Sequence, residues 1–410
     1  MTYLKSLLTG LVSIWILLGA INWLIDPFDI WQTPIIIQGF NMLKPERATH
    51  QRLYESSLFR KSHAKTMILG TSRADIGLDP KHPALTPPAF NFAMGGQPLR
   101  ETLALINKAS ELGRVHAIVF GTDFFTANAA LNPPSDAVDS LFAFDEFWKP
   151  AFAMDTLLAS IKTIAAQHTY DPESAGDIWT RDGLRAFGVA KVRKNGGARK
   201  LAISSEITYA GNGGYLPSPH RIFSFRSKTQ DTEETYAAIL RIAHEQSIDL
   251  RIFISPSHAR QWELVAALGL WDKWEQWKRM IVRLNEAVAF ESGSKPFAIW
   301  DFSDFLSINT EEFPPLCDKE TTMHWYWESS HYKPALGNLV LDRIFGLDNP
   351  DLPTGFGVQL LTSNIDAHLK QIRSRHDLWK ASHSIDVAEI QRAASKDRGA
   401  FLTEINRQCP

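Results

Sequence analysis

Two stretches far apart in the chain carry side-chain types that together can do acyl-transfer chemistry. The first is Lys65-Thr66-Met67-Ile68-Leu69-Gly70-Thr71-Ser72-Arg73, an apolar run that stops abruptly at Gly-Thr-Ser. The second is Trp327-Glu328-Ser329-Ser330-His331-Tyr332, which offers a carboxylate and an imidazole three residues apart. An unassisted serine hydroxyl is a poor nucleophile at neutral pH. It needs a base within hydrogen-bond reach, and that base needs an orienting carboxylate. Ser72 is the candidate nucleophile and His331 the candidate base. Glu328, on a loop entering a helix, has the charge and reach to fold back onto the other imidazole nitrogen. The competing reading of Gly-Thr-Ser is ordinary turn chemistry.

The elements that must bring these stretches together read as an α/β fold with a parallel sheet. Buried strands are expected around residues 66–69, 90–92, 115–120, 250–254 and 297–302, alternating with helical periodicity at 99–112, 231–246 and 336–345 and with a long helix carrying Trp274, Trp277, Ile281, Leu284 and Val288 on one face. In such sheets chemistry collects at the carboxyl ends of the strands. Gly95 or Gly96, and the expected turn Gly121-Thr122-Asp123, fall at the same sheet edge as Ser72 and are candidates to supply backbone N–H groups to an oxyanion. Residues 124–229 break the rhythm and read as an insertion, with Asn132-Pro133-Pro134, an amphipathic stretch at 151–166, a basic run at 181–200 and a glycine loop at 211–217. The basic run could meet anionic headgroups or an acidic polymer, but a solvated face is the commoner meaning of such charge. His258, Trp325 and Trp327 are candidate substrate contacts, each with a structural alternative as loop support or packing. His324 and His331 are seven apart with no third ligand at metal spacing, so neither a metal nor a cofactor is expected.

Composition narrows the setting. The chain has 410 residues, 44% hydrophobic and 21% charged, an ordinary globular mixture. A net charge of −2 disfavours nucleic acid as a partner. Residues 7–25 form an uncharged apolar run preceded by Lys5, long enough to cross a bilayer as a helix. The basic residue before it and the acidic Asp26 and Asp29 after it put the amino terminus in the cytoplasm and the rest outside; a cleaved signal peptide is the alternative. The expected division is a transmembrane anchor at 1–26, a linker at 27–64, a main domain at 65–346 and a peripheral tail at 347–410. Cys317 and Cys409 are the two cysteines, too few for a disulfide framework. They could pair and tie the tail down, or remain separate thiols.

The ordered blocks resemble the SGNH, or GDSL-like, hydrolase superfamily. Gly70-Thr71-Ser72 is similar to its nucleophile block, Asn91-Phe92-Ala93-Met94-Gly95-Gly96 to its second block, Gly121-Thr122-Asp123 to its third, and Glu328-Ser329-Ser330-His331 to its closing acid-x-x-His block. The match departs from the pattern twice: the acid is Glu rather than Asp, and the asparagine of the third block is missing. The resemblance implies a three-layer, flavodoxin-like sheet and a Ser-His-acid triad. Together with the anchor, it looks like a subgroup of membrane-tethered SGNH-like proteins working beside membrane-bound O-acyltransferases. The expected function is therefore an extracytoplasmic serine esterase or O-acyltransferase acting on acyl esters of cell-envelope glycans. The rival expectation is a catalytically inactive SGNH-like module that binds glycan or partners a membrane-bound O-acyltransferase.

Overall fold

Runs of consecutive apolar residues too short for helices become strands in the computed structural model, which describes residues 2–131, 147–211, 214–217 and 221–409. They are β1 (Thr66–Leu69), β2 (Ala89–Asn91), β3 (Ala117–Thr122), β4 (Ile178–Trp179), β5 (Arg185–Ala186), β6 (Asp249–Ile254), β7 (Ile299–Asp301) and β8 (Val358–Gln359). Six form one sheet in the order β2-β1-β3-β6-β7-β8, while β4 and β5 pair separately within the insertion. Neighbours from β2 to β7 are parallel, and only the edge strand β8 runs antiparallel. Successive strand side chains point to opposite faces. Met67, Leu69, Ile118, Phe120, Ile252 and Ile254 accordingly enter one apolar cluster, and Ile68, Val119 and Phe253 enter another. Both faces of the sheet are buried, which is why these strands read as continuous apolar runs.

The helices, in chain order, are α1 (Thr2–Ile25), α2 (Gln51–Ser62), α3 (Ser72–Gly77), α4 (Leu99–Leu112), α5 (Met154–Ala166), α6 (Pro172–Ala175), α7 (Val189–Lys194), α8 (Ala198–Ala210), α9 (Thr232–Glu245), α10 (Ala259–Ala267), α11 (Trp271–Glu291), α12 (Pro334–Phe345), α13 (Ile365–Ser382), α14 (Ser384–Ala394) and α15 (Arg398–Gln408). Local signals start and stop several of them. Asp231 caps α9 by accepting from the Glu233 and Glu234 N–H groups. Pro334 opens α12, where a missing N–H costs nothing. The face of α11 predicted from its spacing is buried from Trp274 to Val288, and each such large side chain contributes about 1.5–3 kcal/mol relative to exposure. The N-terminal helix α1 is apolar and long enough to cross a membrane. Its first two thirds are exposed, and its last third is buried against the rest of the chain at Gly19, Asn22 and Ile25.

Two features depart from the sequence-based expectation, and a third decides between alternatives that the sequence left open. Gly121 and Thr122 are not in a turn: pairing of Thr122 with Ile254 extends β3 through both. The tail is more than an appendage, because β8 joins the sheet and Leu360, Ile365, Leu369, Ile372 and Trp379 belong to the main apolar core. Of the two states open to Cys317 and Cys409, the structure has the pair: they form a disulfide across a separation of 92 residues, a loop whose closure is worth about 4.6 kcal/mol in the chain-entropy account. The Asn132-Pro133-Pro134 break and Asn212-Gly213 lie outside the described residues.

Candidate active site

Ser72 stands at the junction of β1 and α3, where Thr71 caps the helix by accepting from the Arg73 N–H at 3.4 Å. The turn is tight because Gly70 has φ +149°, and a Cβ there would lie 2.8 Å from the Gly121 carbonyl oxygen. Beyond the sheet proper, the Phe92 N–H donates to the Ile68 carbonyl and the Met94 N–H to the Gly70 carbonyl. These bonds carry the second glycine turn alongside Ser72. Its Gly96, at φ +62°, is exposed, and the Gly95 N–H points to Gln51 Oε1 at 3.4 Å.

His331 reaches the same place through a close crossing of α3 and α12. A Cβ on Gly337 would lie 1.8 Å from the Gly77 carbonyl oxygen, and one on Gly77 would lie 2.0 Å from the Tyr332 ring. Only glycine at both positions lets α12 press onto α3, and His331 immediately precedes that contact. His331 Nε2 lies 2.7 Å from Ser72 Oγ. Its Nδ1 makes a very short bond to Glu328 Oε1, and Glu328 also accepts from the Ser330 and His331 N–H groups, each at 2.9 Å. Since a carboxylate only accepts, the hydrogen-bond network assigns the imidazole proton to Nδ1 and leaves Nε2 as acceptor for the Ser72 hydroxyl. Burial raises the Glu328 carboxyl, but His331 and the two backbone donors outweigh it and hold the group below its ordinary value. Ser72 itself is half-buried, so a substrate can reach it.

The supporting groups are charged and deeply buried. Arg73, the residue after the nucleophile, pairs with Asp123 at 2.7 Å and donates to Ser330 Oγ at 3.0 Å. Asp123 Oδ2 accepts from Thr71 Oγ1 at 2.5 Å. One ion pair thereby joins the Ser72 turn, the end of β3 and the loop of His331. Burial disfavours the Arg73 cation, but Asp123 outweighs that and holds its pKa above the usual value. On the other side of α3, Asp75 and Glu55 are fully buried and share Gln51, whose Nε2 donates to both. Burial pushes Asp75 up to about 6 although Arg185, 3.2 Å away, opposes it; burial and the Asp75 charge push Glu55 up. Gln51 thus ties this acid pair to the Gly95 turn.

The other sequence-derived candidates are distributed differently. Thr122 Oγ1 is engaged with the Tyr236 hydroxyl, and the Asp123 carboxylate is committed to Arg73 and Thr71. Neither side chain offers a donor to Ser72. Gly121 lies inside β3, where a Cβ would sit 2.8 Å from the Phe253 ring, so its bareness serves packing. His258 is buried and structural. Its Nδ1 accepts from the Arg260 N–H, its Nε2 donates to the Glu311 carbonyl, and burial drives it down to about 3, a neutral ring. Its backbone N–H holds the Ser329 carbonyl at 3.1 Å, supporting the Glu328 loop from behind. Trp325 is tied by its N–H to Glu311 and by its carbonyl to Lys333. Trp327 borders the site: Phe187 stacks between its ring and that of His331, with centroids 5.7 Å from each.

Phe187, Lys191 and Tyr209 come from the insertion; Lys191 belongs to the basic run at 181–200, whereas Phe187 and Tyr209 carried no signal of their own in the sequence. Lys191 lies over the Phe187 ring at 4.6 Å, and Tyr209 accepts from Ser330 Oγ at 3.0 Å. Among the described residues no group of three or more metal-ligating side chains occurs. No protein-family profile, curated protein or solved structure matches the chain. The chemical reading therefore rests on the residues themselves.

Proposed function

We propose that the chain is a membrane-anchored, SGNH-type serine hydrolase or O-acyltransferase with a flavodoxin-like, three-layer arrangement of helices about its sheet. The observation that carries this is the continuous hydrogen-bonded series Ser72 Oγ, His331 Nε2, His331 Nδ1, Glu328, with the Ser72 to His331 distance at 2.7 Å. Ser72 Oγ attacks an acyl carbonyl while its proton passes to His331 Nε2; the ester C–O bond breaks and the departing alcohol takes that proton. Glu328 holds the imidazolium that exists between those steps. Backbone N–H groups of the Ser72 turn and of Gly96 are assigned to the oxyanion, the Gly95 N–H being engaged by Gln51. The acyl-Ser72 ester is then released to water or to an acceptor hydroxyl, with His331 again as base. Phe187, stacked on the imidazole and on Trp327, is an apolar neighbour that would keep water from the acyl ester, which favours transfer. Acyl esters of an envelope glycan are the substrate class implied by the family resemblance, and a membrane-bound O-acyltransferase is the partner class. The Cys317–Cys409 disulfide and Lys5 ahead of α1 support an oxidising, extracytoplasmic setting.

The engagement of Thr122 and Asp123 favours a second reading, a binding module without turnover, since no side-chain donor stands in for the missing asparagine. A fluorophosphonate probe applied to the full chain in detergent separates the two. The enzyme is labelled once, at Ser72, and hydrolyses a short-chain nitrophenyl ester. A folded wild-type chain that takes no label is the binding module.

A further inference from the structure

The insertion contains a helix whose polarity is reversed for a protein in water. Along α5, Thr156, Ala159, Ser160 and Thr163 face the protein, while Met154, Leu158 and Ile161 are 62%, 55% and 55% exposed. Those three positions, spaced four and three apart, form one outward stripe. Asp155 and Lys162, also exposed, lie to one side of it. A surface helix normally buries its apolar stripe and exposes its hydroxyls. Here small and hydroxyl groups face inward because they meet α1.

The contacts with α1 are close and directional. Asn22 Nδ2 donates to the Ala151 carbonyl at 2.9 Å and to the Ala153 carbonyl at 3.3 Å, and Ser160 Oγ donates to Asn22 Oδ1 at 3.1 Å. Phe152 stacks on Trp15 with centroids 4.5 Å apart and lies against Gly19, where a Cβ would be 2.5 Å from its ring. The loop after α1 belongs to the same base. Asn41, fully buried, donates to the Leu24 and Ile35 carbonyls, and Gln167 just beyond α5 exchanges two 2.9 Å bonds with Leu43. That loop presents Ile35, Ile36 and Ile37 in succession, 46–54% exposed, and Met42 at 48%. The apolar surface of α1 thus continues without a break in the framework onto α5 and this loop.

We propose that α5, with Ile35–Ile37 and Met42, lies in the interfacial zone of the bilayer that α1 enters, so that the folded domain is seated on the membrane and not merely tethered to it. The occupant of this face is lipid. The argument is continuity: the face extends the exposed apolar surface of α1, and hydrogen bonds at Asn22, Asn41 and Gln167 fix the three parts to each other. An apolar stripe bordered by charge is what lets a helix lie along the headgroup–acyl boundary. The inference rests on the reading of α1 as a membrane helix.

The test uses the full chain in phospholipid vesicles. Cys317 and Cys409 are both consumed in the disulfide, so one introduced cysteine is the sole free thiol. A fluorescent label is attached in turn to Leu158→Cys, Ile161→Cys and Ile36→Cys, with Ile14→Cys on α1 and Leu378→Cys, 72% exposed on α13, as references. Labels at 158, 161 and 36 are expected to be quenched several-fold more strongly by nitroxide-bearing lipid than the label at 378, and to be sheltered from iodide. Iodide quenching at 158 and 161 equal to that at 378 overturns the proposal. Shelter from both quenchers also overturns it, because a protein surface, a second copy or another partner, then covers the helix. If the label at 14 is itself out of reach of the lipid quencher, the anchor reading fails and this inference with it. Lipid contact at 14 without contact at 158 and 161 overturns the seating alone.

Discussion

Among the described residues, two clusters of serine, histidine and carboxylate at the sheet invite comparison, and one of them has the geometry that the proposed chemistry needs. Around Ser72, the hydroxyl is half-buried and has an imidazole acceptor at 2.7 Å. At the end of β7, Ser303 Oγ donates to Asp301 and accepts from Lys278 Nζ at 2.7 Å, while Asp301 Oδ2 is also met by Lys278 at 2.6 Å and by His368 Nε2 at 2.9 Å. All four residues of the second cluster are buried. Its serine faces a carboxylate and an ammonium, its histidine is spent on the same carboxylate, and the hydroxyl is closed to solvent. Burial disfavours charge on Asp301, but Lys278 and His368 outweigh it and hold the carboxyl far below its ordinary range. Similar functional groups are thus arranged as the proposed reaction requires in one place and as architecture in the other. The difference is whether the hydroxyl has a free lone pair to receive its proton and an open side for an ester.

The sharpest break of this comparison is a pair of serine replacements. Ser72→Ala is expected to abolish fluorophosphonate labelling and to lower esterase turnover by roughly 10³–10⁶-fold, with the melting temperature unchanged. Ser303→Ala should leave labelling of the folded fraction intact and cost about 1–3 kcal/mol of stability, from hydrogen bonds lost to buried charges. Labelling that survives in Ser72→Ala, or disappears in a folded Ser303→Ala, would assign the clusters the other way.

Glu328→Gln comes next. The amide keeps the shape of the side chain but can stabilise the other imidazole tautomer, so turnover should fall by roughly 10²–10⁴-fold with KM little changed. Nitrophenyl-ester hydrolysis by the purified full-length protein checks it; an unchanged kcat removes Glu328 from the mechanism. The matching change in the second cluster acts on folding. Asp301→Ala strands a buried Lys278 and should cost about 3–5 kcal/mol in urea titration, whereas replacing both, as Lys278→Met with Asp301→Leu, should recover most of that loss. A mild effect from Asp301→Ala would mean that water reaches the cluster, and its closed character would be lost.

How much of this was visible beforehand differs between the two clusters for a physical reason. Glu328 and His331 are three apart, and Ser72 ends an apolar run, so local spacing carried the information. Lys278, Asp301, Ser303 and His368 come from α11, β7 and the strand end, and α13, so their meeting depends on tertiary packing. One trace was present: Lys278 is four residues from Trp274 and three from Ile281, on the apolar face of α11, and its ammonium lies over the Trp274 ring at 3.6 Å. A charge within an apolar stripe signals a buried partner. The parallel strands were legible because burial on both faces leaves unbroken apolar runs. The two-residue β8 was too short to show a period, and Gly121-Thr122 resembled a turn until pairing with β6 drew it into the ladder. Phe187 and Tyr209 enter the site from the insertion, where nothing local marks an aromatic residue as a neighbour of His331. The roles of Thr122 and Asp123 were equally hidden, since their partners, Tyr236 and Arg73, are distant or unmarked.

The smallest expected effect concerns acid. Glu328 and Asp301 are both carboxylates held below their ordinary values, Glu328 by an imidazole and two backbone N–H groups and Asp301 by an ammonium and an imidazole at hydrogen-bond distance. For such groups the stabilising contribution is complete above the unfolded pKa, near 3.9–4.3, and is lost as pH falls through the folded value. A permanent ammonium in contact favours the charged carboxylate more than an imidazole and backbone N–H groups do, so Glu328 is expected to take its proton first as the solution is acidified. Hydrogen exchange followed by mass spectrometry between pH 6 and pH 3, corrected for the intrinsic pH dependence of exchange, should show peptides spanning 326–333 losing protection at a higher pH than peptides spanning 299–304. Glu328→Gln should remove the acid sensitivity of the first region and leave the second as it was. Simultaneous opening of both regions would mean that they unfold as one cooperative unit, and earlier opening at 299–304 would reverse the ranking of the two carboxylates.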